Sequence, residues 1–126
     1  MDLTQLKNEI AIQKHIFTKR KNMKEEFIVL NVVKNNSNNR FELTVDGLTA
    51  FIDFKEKDNV IKLIHTESPP ELAGRGVATA LIEKTLIYLE ENNYKLVPLC
   101  PLVFAYIKRN VEWKRIVDAS FNGFKD

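Results

Sequence analysis

Two prolines and two glycines separate a β-branched run from the longest helical pattern in the chain. The stretch reads Pro69-Pro70-Glu71-Leu72-Ala73-Gly74-Arg75-Gly76-Val77-Ala78. Prolines cannot continue a strand ladder, and glycines one residue apart let backbone N–H groups approach an anion without side-chain interference. The positive end of the following helix dipole faces the same point. This strand, turn and helix therefore predict a cradle for a phosphate group.

Two widespread phosphate loops do not fit these residues. The loop that binds nucleoside triphosphates requires Lys and then Ser or Thr directly after the second glycine, where this chain has Val77 and Ala78. The dinucleotide fingerprint requires a third small residue three positions after Gly76, where Thr79 stands. It also requires further strand–helix repeats, which do not follow in this sequence. Both classes are excluded.

Composition bounds the remaining classes. A chain of 126 residues predicts one domain with a single core. Its formal charge of +2 does not by itself favour a nucleic-acid partner. One cysteine excludes an internal disulfide, and two histidines argue against a dedicated metal site. Since no apolar run has transmembrane or signal-peptide character, we expect a cytoplasmic protein with no membrane partner.

The chain divides into three segments of different character. We expect residues 1–24 to be an extension, 25–118 the folded domain and 119–126 a tail. Apolar residues near helical spacing predict an amphipathic helix in the extension, whose end is basic. A solvated or frayed segment is the usual form of such a charge run. The alternatives are a dimer arm, a contact for an acidic partner, or a peripheral leader before a natural start at Met23. The sequence leaves monomer and homodimer open.

Period-two alternation predicts an antiparallel meander of four strands. The predicted strands are Phe27–Val33, Arg40–Val45, Leu48–Phe54 and Val60–Thr66. Residues that tolerate left-handed conformations predict the turns between them. These turn residues are Asn35–Asn39, Asp46-Gly47 and Asp58-Asn59.

Two helices and a fifth strand follow the meander. The pattern over Arg75–Asn92 has an apolar face broad enough to pack on a sheet. Tyr94–Leu99 predicts a fifth strand, parallel to the fourth through a right-handed crossover, and Leu102–Arg109 predicts a shorter helix. Pro98 has no N–H to give to the fourth strand, so pairing should weaken towards Cys100. The predicted fold is α+β, with a mixed, mostly antiparallel sheet.

The glycine spacing resembles the pyrophosphate-binding signature of the Gcn5-related N-acetyltransferases (GNAT), which runs Gln or Arg, two residues, Gly, one residue, then Gly or Ala. Gly74 and Gly76 fit this signature. The segments His65–Leu72 and Val97–Pro101 resemble the small YjdJ-type branch of the superfamily, so the resemblance covers roughly residues 27–118. It implies a GNAT-like fold whose fourth and fifth strands splay apart. It also implies an acetyl-CoA-dependent N-acetyltransferase that acts by direct attack of an amine on the thioester.

The resemblance further implies where the cofactor lies. The pantetheine arm of coenzyme A would enter the gap between the splayed strands, and backbone N–H groups around Ile64–Thr66 would polarise the thioester carbonyl. The residues expected to contact acetyl-CoA or coenzyme A are Ile64, Thr66, Leu72, Ala73, Gly74, Arg75, Gly76, Val77, Ala78, Cys100 and Tyr106.

Three side chains are candidates for catalysis. Cys100 occupies the hallmark position of the branch, as an acid near the leaving thiolate or as a nucleophile; a lone cysteine is more often a buried small hydrophobe. His65 alternates onto the face of Ile61 and Leu63, as a general base or as an ordinary half-buried histidine. Tyr106 lies on the helix where the superfamily often places a tyrosine that protonates the thiolate; the alternative is an aromatic core residue.

Two departures from the family pattern bear on the acceptor and on activity itself. Glu71 stands where the signature has Gln or Arg, and a five-residue turn replaces the two helices that help build the acceptor site in larger members. The acceptor side should therefore be open and shallow, which suits a flexible amine or a protein lysine. The same features suit a module that binds CoA or acyl-CoA with weak or no transferase activity. Glu67 is a weaker candidate for the base.

Overall fold

The structure is a computed structural model that describes residues 24–124. The helix predicted within residues 1–23 lies outside the described residues. The described part contains five strands, three α-helices and two short 3₁₀ helices.

The strands form one sheet in chain order. They are β1 (Val33–Asn35), β2 (Arg40–Val45), β3 (Leu48–Lys57), β4 (Val60–Glu67) and β5 (Lys95–Pro98). The first four are antiparallel neighbours, and β5 runs parallel to β4. The turns contain residues with positive φ, among them Asp46, Asp58 and Asn59, as tight hairpins require. The predicted order of four antiparallel strands and a parallel fifth is confirmed, although the first strand lies further along the chain than predicted.

The helices follow the predicted order. They are α1 (Glu25–Ile28), α2 (Val77–Glu91) and α3 (Pro101–Arg109), with 3₁₀ helices at Pro70–Leu72 and Val111–Ile116. Helix α2 follows β4 and helix α3 follows β5, which confirms the α+β class.

The strand expected over Phe27–Val33 is wrong. This segment begins in helix α1, and only its last residue belongs to β1. The reason is that Phe27 is a core residue, 1% exposed, and the Lys84 ammonium of α2 donates hydrogen bonds to the carbonyls of Ile28 and Leu30. The apolar run therefore begins as a helix against the core, and β1 begins only at Val33.

Helix α2 covers one face of the sheet. Alternate residues of β2 and β3 are buried towards it, while their neighbours are half-buried or exposed on the opposite face. The buried strand residues are Phe41, Leu43, Val45, Ala50, Ile52 and Phe54. The strict alternation leaves a polar face of β2 and β3 opposite the helix.

The chain beyond α3 returns to the sheet. The backbone N–H of Asp118 donates to the carbonyl of Leu96 in β5 at 2.8 Å, and Arg115 pairs with Glu90 of α2 at 2.6 Å. Trp113 is buried, and the ring of Phe124 stacks on that of Phe104 with centroids 4.7 Å apart. The C-terminal aromatic residues therefore pack on the body of the domain.

Candidate active site

The Gly-X-Gly loop joins β4 to α2 as the sequence predicts. Gly74 and Gly76 have φ of +80° and +83°, a conformation that side chains rarely adopt. Leu72 is buried and anchors the start of the loop in the core. Helix α2 begins at Val77 without a side-chain cap, so its first N–H groups stay available to an anion.

Hydrogen bonds within the loop divide the predicted amides into two groups. The N–H of Leu72 donates to Pro69, that of Ala73 to Pro70, and that of Arg75 to Leu72, at 3.0 to 3.2 Å. No backbone bond to another described residue occupies the remaining four amides. These four belong to Gly74, Gly76, Val77 and Ala78. The donors that remain for a phosphate therefore lie at the glycines and the first turn of α2.

The guanidinium of Arg75 is held by carboxylates. It bonds to Asp46 at 2.7 Å and lies 3.7 Å from Glu26, and the hydrogen bond to Asp46 is the main cause that raises its pKa. Arg75 therefore joins the loop to the β2–β3 turn and to α1. This arrangement directs the side chain of a predicted cofactor residue towards protein carboxylates.

Lys24 is the cation that the sequence did not reveal. Its Cε would lie 3.4 Å, and its ammonium nitrogen 3.9 Å, from a Cβ added to Gly76. The side chain therefore crosses the loop beside the uncapped end of α2. Residues 24 and 76 share no motif, so only the folded chain brings them together.

Strands β4 and β5 separate at the predicted place. Their pairing ends at Leu63 with Pro98, while β4 continues to Glu67. Beyond Pro98 the N–H of Leu99 turns back to a carbonyl of its own strand, and the N–H of Cys100 donates to Leu63 at 2.8 Å. Because proline has no N–H, the ladder cannot continue through Pro98. Beyond this last pair β4 continues to Glu67 without β5 as its ladder partner, and we call this region the gap; the cofactor arm was expected to enter here.

Thr66 and Cys100 meet across this gap. The hydroxyl oxygen of Thr66 lies 3.1 Å from the thiol sulfur of Cys100, and either atom could be the donor. Cys100 is 2% exposed and stands at the N-terminal boundary of α3. Two residues predicted to face the cofactor are thus in direct contact.

His65 lies on the face opposite to the one expected. Asp53 pairs with His65 but Phe54 pairs with Leu63, so Ile64 is an extra residue in β4. This β-bulge reverses the alternation. The expectation that His65 shares a face with Leu63 is therefore wrong, because an unbroken alternation was assumed. The imidazole is exposed instead.

A groove of about 490 Å³ opens at the end of β4. Its lining includes Phe51, Thr66, Glu67 and the proline pair that follows. The Glu67 carboxylate hydrogen-bonds with the imidazole of His65 at 3.0 Å. Since Thr66 both lines the groove and touches the thiol of Cys100, one residue connects the groove to the gap.

The other predicted residues, together with Glu71, differ in exposure. Tyr106 is 3% exposed within the core, Ile64 is half-buried at the bulge, and Glu71 is exposed on the 3₁₀ helix. Within residues 24–124, no three potential metal-binding side chains of His, Cys, Asp or Glu cluster together. In the same range, no helix combines the length and the apolar character needed to cross a bilayer.

Comparison with known proteins identifies the family. A family model for GCN5-related N-acetyltransferases matches residues 40–116, more than half of the chain. The chain belongs to this family. The matched range spans β2 to the second 3₁₀ helix and so includes the loop, the gap and the groove of this GNAT domain.

A solved structure shares the GNAT fold. It is the solution structure of a Staphylococcus aureus protein named as a GCN5-like, inferred N-acetyltransferase. The TM-score is 0.54 at 22% sequence identity, over 76% of this chain and 95% of the other. At this identity the likeness concerns the fold. A search of curated proteins gave no match.

Proposed function

We propose that this GNAT protein is an acetyl-CoA-dependent N-acetyltransferase, acting in the cytoplasm on an amine by direct attack on the thioester. The observation that best supports this proposal is the gap between β4 and β5. It opens at Pro98, directly beside the contact between Thr66 and Cys100. Family membership supports the reaction class, and the gap would offer a place for the reacting thioester.

The loop residues fit the diphosphate of coenzyme A. Gly74 and Gly76 carry no Cβ, and their positive φ is the conformation in which successive N–H groups form a concave anion site. The four amides not used inside the loop would hold the diphosphate. Lys24 would add a positive charge, which compensates for Glu71 at the position where the family signature has Gln or Arg.

Bound acetyl-CoA would supply an activated acetyl group, and the residues of this chain would arrange the exchange. The thiol of Cys100, hydrogen-bonded to Thr66, is the candidate that would protonate the leaving sulfur or stabilise its charge. Tyr106 remains a second candidate for this acid. On the acceptor side, Glu67 in the groove and its partner His65 are the candidates that would take a proton from the incoming ammonium.

A second function, binding of CoA or acyl-CoA without turnover, has its own support. Between β1 and β2 the chain has only a short turn, so no helices enclose the acceptor side there. The acidic Glu71 also removes a side chain that the wider family often places near the phosphates.

One assay separates the two functions. Thiol release from acetyl-CoA is measured over a panel of monoamines, diamines, polyamines and a lysine peptide, with calorimetry of CoA binding on the same sample. Release stimulated by an amine supports the transferase. Tight CoA binding without stimulation by any amine supports the binding module, and no CoA uptake by folded protein contradicts both.

A further inference from the structure

Three residues form a row across the sheet face opposite α2. Phe51 in the middle strand pairs with Glu42 on one side and with Glu67 on the other. Directly paired residues point to the same face of a sheet. An aromatic ring is thus flanked by two carboxylates, which is an arrangement suited to positive charge.

The ring of Phe51 already binds one cation of the chain. The guanidinium of Arg40 lies 3.8 Å from its centroid, and Nε of Arg40 donates to Asp53 at 2.8 Å. This internal pair shows that the ring accepts a cation in the folded protein. It also neutralises Asp53, so the charge of the row resides on Glu42 and Glu67.

The two carboxylates of the row have a neutral amide and an imidazole as their partners. Glu42 accepts a hydrogen bond from the neutral amide of Asn35 at 3.2 Å, and Glu67 interacts with His65. Among residues 24–124, neither forms an ion pair with Lys or Arg. Both carboxylates can therefore pair with the positive charge of a bound molecule.

The row leads into the groove. Phe51 and Glu67 line the groove at the end of β4. Thr66 lies on the opposite face of that strand, also lines the groove, and touches the thiol of Cys100. An amine at Glu67 would be next to the gap, whereas a charge at Glu42 would lie two strands away. Since neighbouring strands are about 4.8 Å apart, the two positions are separated by about 10 Å.

We infer that the acceptor is a linear amine with a second positive charge about 10 Å from its reacting nitrogen. The reacting amine enters the groove at Glu67, the methylene chain crosses β3 beside the stacked pair of Phe51 and Arg40, and the second charge pairs with Glu42. This inference rests on the proposed transferase function. A polyamine and a pair of lysines in a flexible peptide share this chemistry.

The test compares three amines of matched chemistry at saturating acetyl-CoA. Diaminooctane has amines separated by about the length of the row, octylamine has the same chain without the second charge, and putrescine is too short. We expect kcat/KM for diaminooctane to exceed that for octylamine and for putrescine about fivefold, which is the worth of one surface charge pair. Equal values for diaminooctane and octylamine would overturn the inference.

Two variants assign the preference to the row. Glu42→Gln should abolish the advantage of diaminooctane over octylamine. Asp58→Asn removes one negative charge at the far end of the same hairpin, where Asn suits the φ of +52°, and should retain the advantage. An advantage that survives Glu42→Gln, or disappears in Asp58→Asn, contradicts the assignment.

The same variants show whether the acceptor is a free amine or a peptide. The assay also separates failure of this inference from failure of the proposed transferase function. A peptide with two lysines spaced by flexible residues must show the same Glu42 dependence, and the faster of peptide and diamine identifies the source. If no amine stimulates thiol release, the transferase proposal fails. Calorimetry of diaminooctane against octylamine then still decides whether the row prefers two charges.

Discussion

Thr66 and Cys100 stand 34 positions apart in the chain, and their hydroxyl and thiol groups are 3.1 Å apart at the gap between β4 and β5. This contact depends on two features of the neighbouring strands. Pro98 ends the ladder so that the chain turns Cys100 back towards β4, and the bulge at Ile64 sets Thr66 on the face of Leu63.

Replacement of Cys100 tests the thiol directly. Cys100→Ala should keep CoA affinity and slow turnover by about 100-fold if the thiol is the acid for the leaving sulfur. Calorimetry with CoA and steady-state thiol release provide the two measurements. Thr66→Val is the matched variant, because it removes the hydroxyl partner and keeps the thiol; we expect a smaller loss. Unchanged turnover in Cys100→Ala would show that the residue only fills space.

Replacement of Gly76 tests the loop. Gly76→Ala places a Cβ at a φ of +83° and against the Lys24 side chain, so both stability and CoA affinity should fall. The conformational cost is about 1–2 kcal/mol. Gly47→Ala is the control, since Gly47 has a similar φ of +77° and open space around it. Both variants should lose similar stability in urea unfolding, but only Gly76→Ala should bind CoA more weakly.

Removal of the Lys24 charge tests the cation beside the loop. Lys24→Ala should weaken CoA binding about two- to fivefold, the worth of one exposed charge contact, and should flatten its salt dependence. The KM for acetyl-pantetheine, which lacks the diphosphate, should not change. Lys57→Ala, at the far end of β3, is the control. An equal loss for CoA and for the pantetheine analogue would assign Lys24 a structural role only.

The half-buried Lys84 should make the free energy of unfolding depend on pH in the alkaline range. Burial lowers the pKa of its ammonium below the ordinary 10.5. In the window between the lowered pKa and 10.5 the unfolded chain binds more protons, so this group makes folding more favourable as pH rises. The unfolding free energy of wild type minus that of Lys84→Met should therefore increase with pH there. The fluorescence of the buried Trp113 reports the transition.

The same variant has a pH-independent cost. Lys84→Met leaves the carbonyls of Ile28 and Leu30 without their donor, which should cost about 1–3 kcal/mol. Lys55→Met, on an exposed position of β3, should cost far less and should not alter the pH dependence. A wild-type advantage that is flat with pH would contradict the lowered pKa.

Local patterns were sufficient to predict most of the fold. Alternation marked β2, β3 and β4, and turn residues with positive φ fixed their hairpins, since each of these signals acts over a few neighbouring residues. The prediction for the run at Phe27 failed because this segment makes tertiary contacts, among them the bond from the distant Lys84 to the carbonyl of Ile28, which the local pattern does not contain. A β-branched run alone cannot show whether a tertiary contact competes for its carbonyls.

The site shows the same division. Gly74, Gly76 and Pro98 act through their own backbone chemistry, so their effects could be read from the sequence. The face of β4 on which His65 lies could not be read from the sequence, because the bulge that reverses this face leaves no mark in the alternation. Lys24 and the row across Phe51 depend on pairing between distant segments, which only the folded chain provides.

Titration of the ¹⁵N-labelled protein with CoA, followed by amide chemical shifts, tests whether the loop and the gap hold the cofactor. The account predicts saturable shifts at the loop and along the gap, in the amides of Gly74, Gly76, Val77, Ala78, Thr66 and Cys100. Shifts confined to another part of the molecule, or a folded protein whose spectrum CoA leaves unchanged, would contradict the claim that the loop and the gap hold the cofactor.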